Sequence, residues 1–231
     1  MTASGRLIIG DSWEKMAGLK YEYVFTGLPD YEDFEQLGVS VRHPESYRIV
    51  CESLLGAIRP TRGTVTVAFT GYRRNRSRCS PKAHYLWQAA TKTGYYMLDQ
   101  KFAIKSMKYN AYSHQVLTIA TYQKEDLQPV MNLRTDRLYS SYGPDAWGPY
   151  HGRETKLDGE VVGQPTEIAT NCIKQFTRAG DTVLDPFSGL GTTCLAAVRL
   201  GRNGIGIEIR PEIHEQAEIR LRGEEAAQEP A

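Results

Sequence analysis

Long hydrophobic runs are missing from this sequence. Apolar stretches such as Val65–Phe69 and Val116–Ala120 are five residues long, against the roughly 20 that cross a bilayer as a helix. The opening MTASGRLIIGD lacks a signal-peptide pattern, so the expectation is a cytoplasmic chain with no membrane partner. Cysteine is sparse: Cys51, Cys79, Cys172 and Cys194 show neither CxxC spacing nor the density of a secreted disulfide scaffold. The five histidines, His43, His84, His114, His151 and His214, fall at no ligand spacing, and no metal is expected. Internal repeats are absent, and low complexity is confined to the acidic GEEAAQEPA, expected as a flexible tail over 223–231. What remains is ordinary: 41% hydrophobic, 24% charged and a mean hydropathy of −0.45 exclude a disordered, collagenous or coiled-coil chain. At 231 residues a single α/β domain covering 1–231 is the economical reading.

Net charge is also nearly absent, at +1, but the balance hides an uneven distribution. Arg59 to Lys108 holds eleven Lys or Arg against the one acid Asp99, whereas Asp11 to Ile58 holds nine acids against four bases. Within the basic stretch, GYRRNRSRCSPK gathers Arg73, Arg74, Arg76, Arg78 and Lys82 directly after a strand-like run. Ten of fourteen tyrosines lie between Tyr72 and Tyr150. Cations that contact phosphates, interleaved with rings that stack on bases, point to a nucleic-acid partner; a solvated basic face with core tyrosines is the plainer alternative.

Periodicity alternates between strand and helix. Arg6–Ile9, Tyr23–Thr26, Thr64–Thr70, Phe102–Ser106 and Gln115–Tyr122 read as strands, while Tyr47, Val50, Cys51, Leu54, Leu55 and Ile58 follow helical spacing and Pro81–Thr91 forms a further helix. Residues 125–163 lose periodicity and read as a long irregular insertion. Beyond it come helix Pro165–Phe176, strand Thr182–Leu184, a glycine turn, helix Thr192–Leu200, strand Gly204–Ile209 and helix Pro211–Arg222. This alternation predicts a doubly wound, mostly parallel sheet with helices on both faces. In TVLDPFSGLGTTCLAAVRLGRNGIGIEI, Gly189 and Gly191 sit in a strand-to-helix turn and Glu208 lies 23 residues beyond Asp185, at the end of the next strand. Glycines that admit a ligand to the backbone, followed by an acid placed for ribose hydroxyls, favour an adenosine-bearing ligand.

These residues resemble the DNA amino-methyltransferases of the adenine or cytosine type. DPFSGLGTT is similar to that family's DPF-x-G-x-G-TT signature, GIGIEI to its ribose-binding strand, and QPTEIATNCIKQFTRAGDTVLDPF to the lead-in. DAW at Asp145–Trp147, the opening RLIIGDSWEKMAGL and SHQVLTIATYQK also find counterparts. The resemblance spans nearly the whole chain in the permuted, β-class order: a catalytic half over 1–124, a recognition insert over 125–163 and a cofactor half over 164–222. It implies a circularly permuted Rossmann-like methyltransferase fold that uses S-adenosyl-L-methionine (AdoMet) on DNA, in a restriction-modification or phage DNA modification setting. Asp185, Phe187, Gly189, Gly191 and Thr192 would surround the methionine part, Glu208 would hold the ribose and Asp11 the adenine. Arg73, Arg74, Arg76, Arg78 and Lys82 would contact DNA. The short insert leaves room for a partner subunit or a homodimer.

One motif departs from the pattern. The family reads Asp, Asn or Ser, then Pro-Pro and an aromatic, where this chain has Gly27-Leu28-Pro29-Asp30-Tyr31. Counting from the strand end puts Gly27 at the acceptor position; counting back from Tyr31 puts Leu28 there. Neither supplies the acceptor side chain for the amine of a flipped base. Gly27, Pro29, Asp30 and Tyr31 are the catalytic candidates, and three accounts stay open. Asp30 restores the acceptor from an altered loop; Asp30 acts as general base on a non-amine target such as a hydroxymethylated pyrimidine; or the chain is a non-catalytic DNA-binding subunit. A carbon-methylating enzyme would want a cysteine near this strand, and none occurs between Thr26 and Val50.

Overall fold

A run of strands that bury side chains on both faces organises the molecule. The computed structural model describes residues 3–29, 33–34, 44–70, 73–74, 78–79, 81–104, 116–130, 146–147, 155–157, 160–163 and 165–228. In chain order these form β1 (Gly5–Ile9), α1 (Ser12–Lys15), β2 (Tyr23–Gly27), α2 (Pro44–Ala57), β3 (Thr64–Thr70), β4 (Arg73–Arg74), β5 (Arg78–Cys79) and α3 (Lys82–Lys92). There follow β6 (Tyr95–Ile104), β7 (Val116–Lys124), β8 (Ala146–Trp147), β9 (Thr155–Leu157), β10 (Glu160–Gly163), α4 (Thr166–Phe176), β11 (Thr182–Asp185), α5 (Thr192–Arg199), β12 (Asn203–Glu208) and α6 (Pro211–Gln228). The main sheet runs β1-β12-β11-β2-β3-β7-β6-β8. The first five strands in that order are parallel, β7 turns antiparallel to β3, and β6 pairs antiparallel with β7. The mostly parallel, doubly wound sheet read from the sequence is the one observed.

Period-two alternation sends neighbouring residues to opposite layers. Val24, Val65, Val67 and Leu184 face the core shared with α2 and α3, among Tyr47, Leu54, Leu55, Leu86 and Ala89. Tyr23, Phe25, Ala68 and Val183 face the layer of α4 and α5, among Ile168, Cys172, Ile173, Phe176 and Ala196. α6 closes the β1 edge, with Leu221 packed beside Leu7, Leu195 and Val198. Helix α5 lies close on β12 because two glycines lie beneath it. A Cβ on Gly204 would stand 2.7 Å from Cys194 Cα, and one on Gly206 would stand 2.8 Å from Leu7 Cδ2 and Ser188 Cβ.

Three boundaries differ from the sequence reading. β6 starts at Tyr95 rather than Phe102: its polar stretch Asp99–Lys101 is carried in the ladder with β7, past a register shift between Met97 and Asp99. The 125–163 insertion is not wholly irregular, since Ala146 and Trp147 pair with Phe102 and Ala103, and β9 pairs with β10. The expected flexible tail is helical as far as Gln228, tied back by the Arg199–Glu224 ion pair at 2.5 Å. No helix among the described residues is long and apolar enough to cross a membrane.

Gly204→Ala is expected to lower stability by about 1–3 kcal/mol, because the added methyl meets the backbone of α5. Urea unfolding measures this, and a variant as stable as the parent would mean that the helix sits farther from the strand than described.

Candidate functional site

The carboxyl ends of β1, β12, β11 and β2 lie side by side, so four loops remote in sequence meet along one edge. After β11 the chain goes to α5 and β12 on one side, while β2 leads through α2 to β3 on the other. The β11/β2 boundary is therefore the topological switch point where a doubly wound sheet opens a crevice for ligands. Asp185 ends β11 and is buried. Thr26 Oγ1 donates to its Oδ1 at 2.7 Å, Thr193 Oγ1 to its Oδ2 at 2.5 Å, and the Phe187 backbone N–H to Oδ1 at 3.1 Å. Burial pushes the carboxyl up to about 6 despite the Thr193, Thr26 and Phe187 donors, and Glu208 adds a smaller push in the same direction.

The turn after Asp185 is shaped by Gly189 (φ 51°) and by Gly191 (φ 73°), the left-handed N-cap of α5. The Gly189 N–H donates to Glu208 Oε2 at 3.0 Å, so the turn is pinned to the end of the neighbouring strand. Glu208 Oε1 accepts from the Arg210 backbone N–H at 3.0 Å and from its Nε at 3.4 Å. Among the described residues the Gly189 N–H is its one donor, so Oε2 retains acceptor capacity for a ligand hydroxyl. Ser188 Oγ and Thr192 Oγ1 are buried in the same turn with no hydrogen-bond partner among the described residues. Orphaned hydroxyls in a glycine turn are donors available to a ligand. On the β1 side, Asp11 caps α1 by accepting from the Trp13 N–H at 2.8 Å. Ser12 Oγ donates to the Pro186 carbonyl, and the Trp13 ring stands 5.7 Å from that of Phe187.

All seven residues expected around the cofactor, Asp11, Asp185, Phe187, Gly189, Gly191, Thr192 and Glu208, are thus gathered at one edge of the sheet. A donor turn, a partly free carboxylate and an aromatic pair fit a nucleoside carrying a charged amino-acid tail. Gly27 is the last residue of β2, opposite Ala68, and the Leu28 N–H continues that ladder to the Ala68 carbonyl at 2.9 Å. The strand thus ends in a glycine, with Leu28 directly after it. Pro29 follows, its carbonyl accepting from the Tyr47 hydroxyl at 2.5 Å; Asp30 and Tyr31 lie outside the described residues.

Arg73, Arg74 and Arg78 belong to the β4–β5 ladder, which follows β3 in the chain. Arg76 lies outside the described residues. Lys82 is a correction. It is 1% exposed, with Nζ 5.8 Å from the Tyr47 ring centroid, which does not suit a phosphate contact. The reason is helical spacing: Lys82 shares a face of α3 with Tyr85, Leu86 and Ala89, and that face turns inward. Thr26, Thr193, Ser12 and Trp13 were not anticipated. Thr193 repeats the hydroxyl of Thr192 inside the motif, a readable signal, whereas Thr26 becomes meaningful once β2 and β11 are known to be neighbours. Among the described residues no group of three or more His, Cys, Asp or Glu could hold a metal ion.

The chain is 45% identical over 69 residues to Type II methyltransferase M.MjaI of Methanocaldococcus jannaschii, covering 28% of this chain and 23% of that one. It is 30% identical over 128 residues to Type II methyltransferase M.MthZI of Methanothermobacter thermautotrophicus, covering 48% and 36%. The matched stretches therefore span well under two thirds of these relatives. Among solved structures, the M1.HpyAVI–SAM complex superposes with a TM-score of 0.67 at 22% identity, over 94% of this chain and 98% of that one. The cytosine-N4-specific PvuII DNA methyltransferase superposes with a TM-score of 0.69 at 20% identity, over 95% and 87%. These likenesses show the fold to be that of DNA methyltransferases. The N6/N4 DNA methylase family model matches residues 69–219, about two thirds of the sequence, and the chain belongs to that DNA methylase family.

Proposed function

We propose that this chain transfers a methyl group from AdoMet to the exocyclic amine of adenine or cytosine in DNA, as an enzyme of the restriction-modification type. The observation that carries this reading is the Thr26–Asp185 hydrogen bond. It holds the strand that leads into GLPDY against the strand that leads into the glycine turn, so that donor and acceptor share one crevice. The GLPDY segment precedes the 125–163 stretch and the glycine turn follows it, which is the order of the β-class.

When bound, AdoMet supplies an electrophilic methyl on a sulfonium. Asp185 and the Ser188 and Thr192 hydroxyls surround its methionine part, Glu208 takes the ribose and Asp11 approaches the adenine. The Trp13–Phe187 ring pair lies beside the crevice on the β1 side. Gly27 brings no side chain to the amine, so the acceptor falls to backbone carbonyls at the strand end together with Asp30. Orienting the nitrogen lone pair along the methyl–sulfur axis is the catalytic task of this segment. The bareness of Gly27 is the observation that favours a second reading, in which Asp30 takes the proton from a hydroxyl on a hydroxymethylated pyrimidine. Arg73, Arg74, Arg76 and Arg78 steer DNA phosphates toward the crevice, and the insert reads a short site, leaving longer readout to a second subunit or a second copy of the chain.

Incubation with methyl-labelled AdoMet and either ordinary or hydroxymethylpyrimidine-containing DNA, followed by nucleoside mass spectrometry, tests this directly. Label is expected in methyladenine or methylcytosine; label confined to the hydroxymethylated substrate selects the second reading, and label in neither overturns both. AdoMet affinity should weaken as pH falls through about 6, approaching tenfold per unit, because protonated Asp185 no longer offers negative charge to the positively charged ligand. Calorimetric titration from pH 5 to 8 reads this, and a flat profile would remove Asp185 from that role. Arg73→Glu with Arg74→Glu should flatten the dependence of DNA affinity on salt, each lost phosphate contact lowering the slope by about 1. Lys82→Met should leave it unchanged, since that cation is buried.

A further inference from the structure

Helix α2 reaches the accepting side of the crevice through one side chain. Tyr47, fully buried in its first turn, donates its hydroxyl to the Pro29 carbonyl at 2.5 Å. The same ring meets Phe34 edge to face, with centroids 6.2 Å apart and planes at 88°. Pro29 and Phe34 flank the segment that contains Asp30 and Tyr31. The chain enters that segment from Leu28, itself bonded to Ala68 of β3. Beside the Tyr47 ring stands Lys82, also buried, with its ammonium 5.8 Å from the centroid, a distance at which a desolvated cation is attracted to the ring quadrupole.

We infer that Tyr47 is a positioning residue for the methyl-accepting segment, fixing its entry through the Pro29 carbonyl and its exit through Phe34, while Lys82 orients the ring. The inference rests on the methyl-transfer reading for its catalytic consequence. The physical need is plain: with no side chain at Gly27, the geometry of the accepting groups depends on how the backbone after it is held. A misplacement of about 1 Å costs on the order of a hundredfold in rate. The hydroxyl and the ring make separable contributions, because Tyr47→Phe removes the bond to Pro29 and keeps both the Phe34 contact and the Lys82 contact.

The test compares the full chain with Tyr47→Phe and Tyr47→Leu by steady-state kinetics on DNA, AdoMet titration, thermal melting and hydrogen-exchange mass spectrometry of peptides spanning 28–36. Tyr47→Phe should lower kcat about tenfold, leave AdoMet affinity and the DNA KM within twofold of the parent, and speed exchange in those peptides; Tyr47→Leu should go further on kcat and exchange. Unchanged kcat in a folded Tyr47→Phe variant overturns the positioning role, and unchanged exchange overturns the clamp itself. If the parent transfers no methyl group to any DNA, the methyl-transfer reading and the catalytic part of this inference fall together, while the exchange comparison still decides whether the clamp exists. Should Tyr47→Phe not fold, Phe34→Leu, which removes the exit contact and keeps the bond to Pro29, tests the clamp from its other end: lower kcat and faster exchange in the same peptides are expected, and both unchanged in a folded variant overturns the clamp.

Discussion

A carboxylate buried at the end of a strand is tolerated where donors close around it, and at Asp185 the three donors come from separate parts of the chain. Thr26 brings β2, the Phe187 N–H brings the turn and Thr193 brings α5. Satisfying one acid therefore sets the relative positions of the central strand, its helix and the adjoining strand. Glu208 repeats the device one strand over, its Oε2 holding the Gly189 N–H and its Oε1 holding Arg210. Two acids thus fix the glycine turn from both flanks, before any ligand arrives.

That arrangement requires helix and sheet to be in close contact. Gly204 and Gly206 remove the atoms that would hold α5 away from β12, and the helix face is correspondingly fine-grained, with Cys194, Ala196 and Ala197 all buried. The opposite layer is built differently. There α2 and α3 present Tyr47, Leu54, Leu55, Tyr85 and Leu86 against valines of β2 and β3, and large side chains reach far enough to touch loops as well as strands. The α5 layer is thus shaped by backbone close to backbone, and the α2–α3 layer by side chains spanning gaps.

This contrast explains what was legible in the sequence. The glycine turn was readable because its signal resides in local spacing: Asp185, Gly189, Gly191 and Thr192 fall within eight residues of one another, and Glu208 follows one helix and one strand later. The parallel sheet was readable because strand and helix periodicities alternate cleanly there. Thr26 was not, since its partner lies 159 residues away, and nothing local marks a threonine at a strand end. Lys82 was misplaced because composition counts charges without regard to direction: counted with its basic neighbours it resembled a phosphate contact, whereas its spacing from Tyr85 and Leu86 placed it on the inward face. The start of β6 was hidden by polar residues that pair through the backbone and so owe little to hydropathy. Asp30 and Tyr31 had motif logic alone, with two registers and no neighbour to choose between them.

The pairing of β1 with β12 carries a consequence for synthesis. Gly5–Ile9 finds its ladder partner in Asn203–Glu208, nearly two hundred residues later, whereas β2, β3, β6 and β7 pair among themselves, apart from the β2–β11 and β6–β8 ladders. A chain emerging from the ribosome amino end first can assemble the β2-β3-β7-β6 sheet early. Its first strand, however, has no place to dock until the last strand has been made. Such long-range closure is slow relative to local pairing, so the crevice between the two halves is completed after translation of the domain, and the nascent chain passes through a stage in which an apolar strand and an open sheet edge are both exposed to other chains.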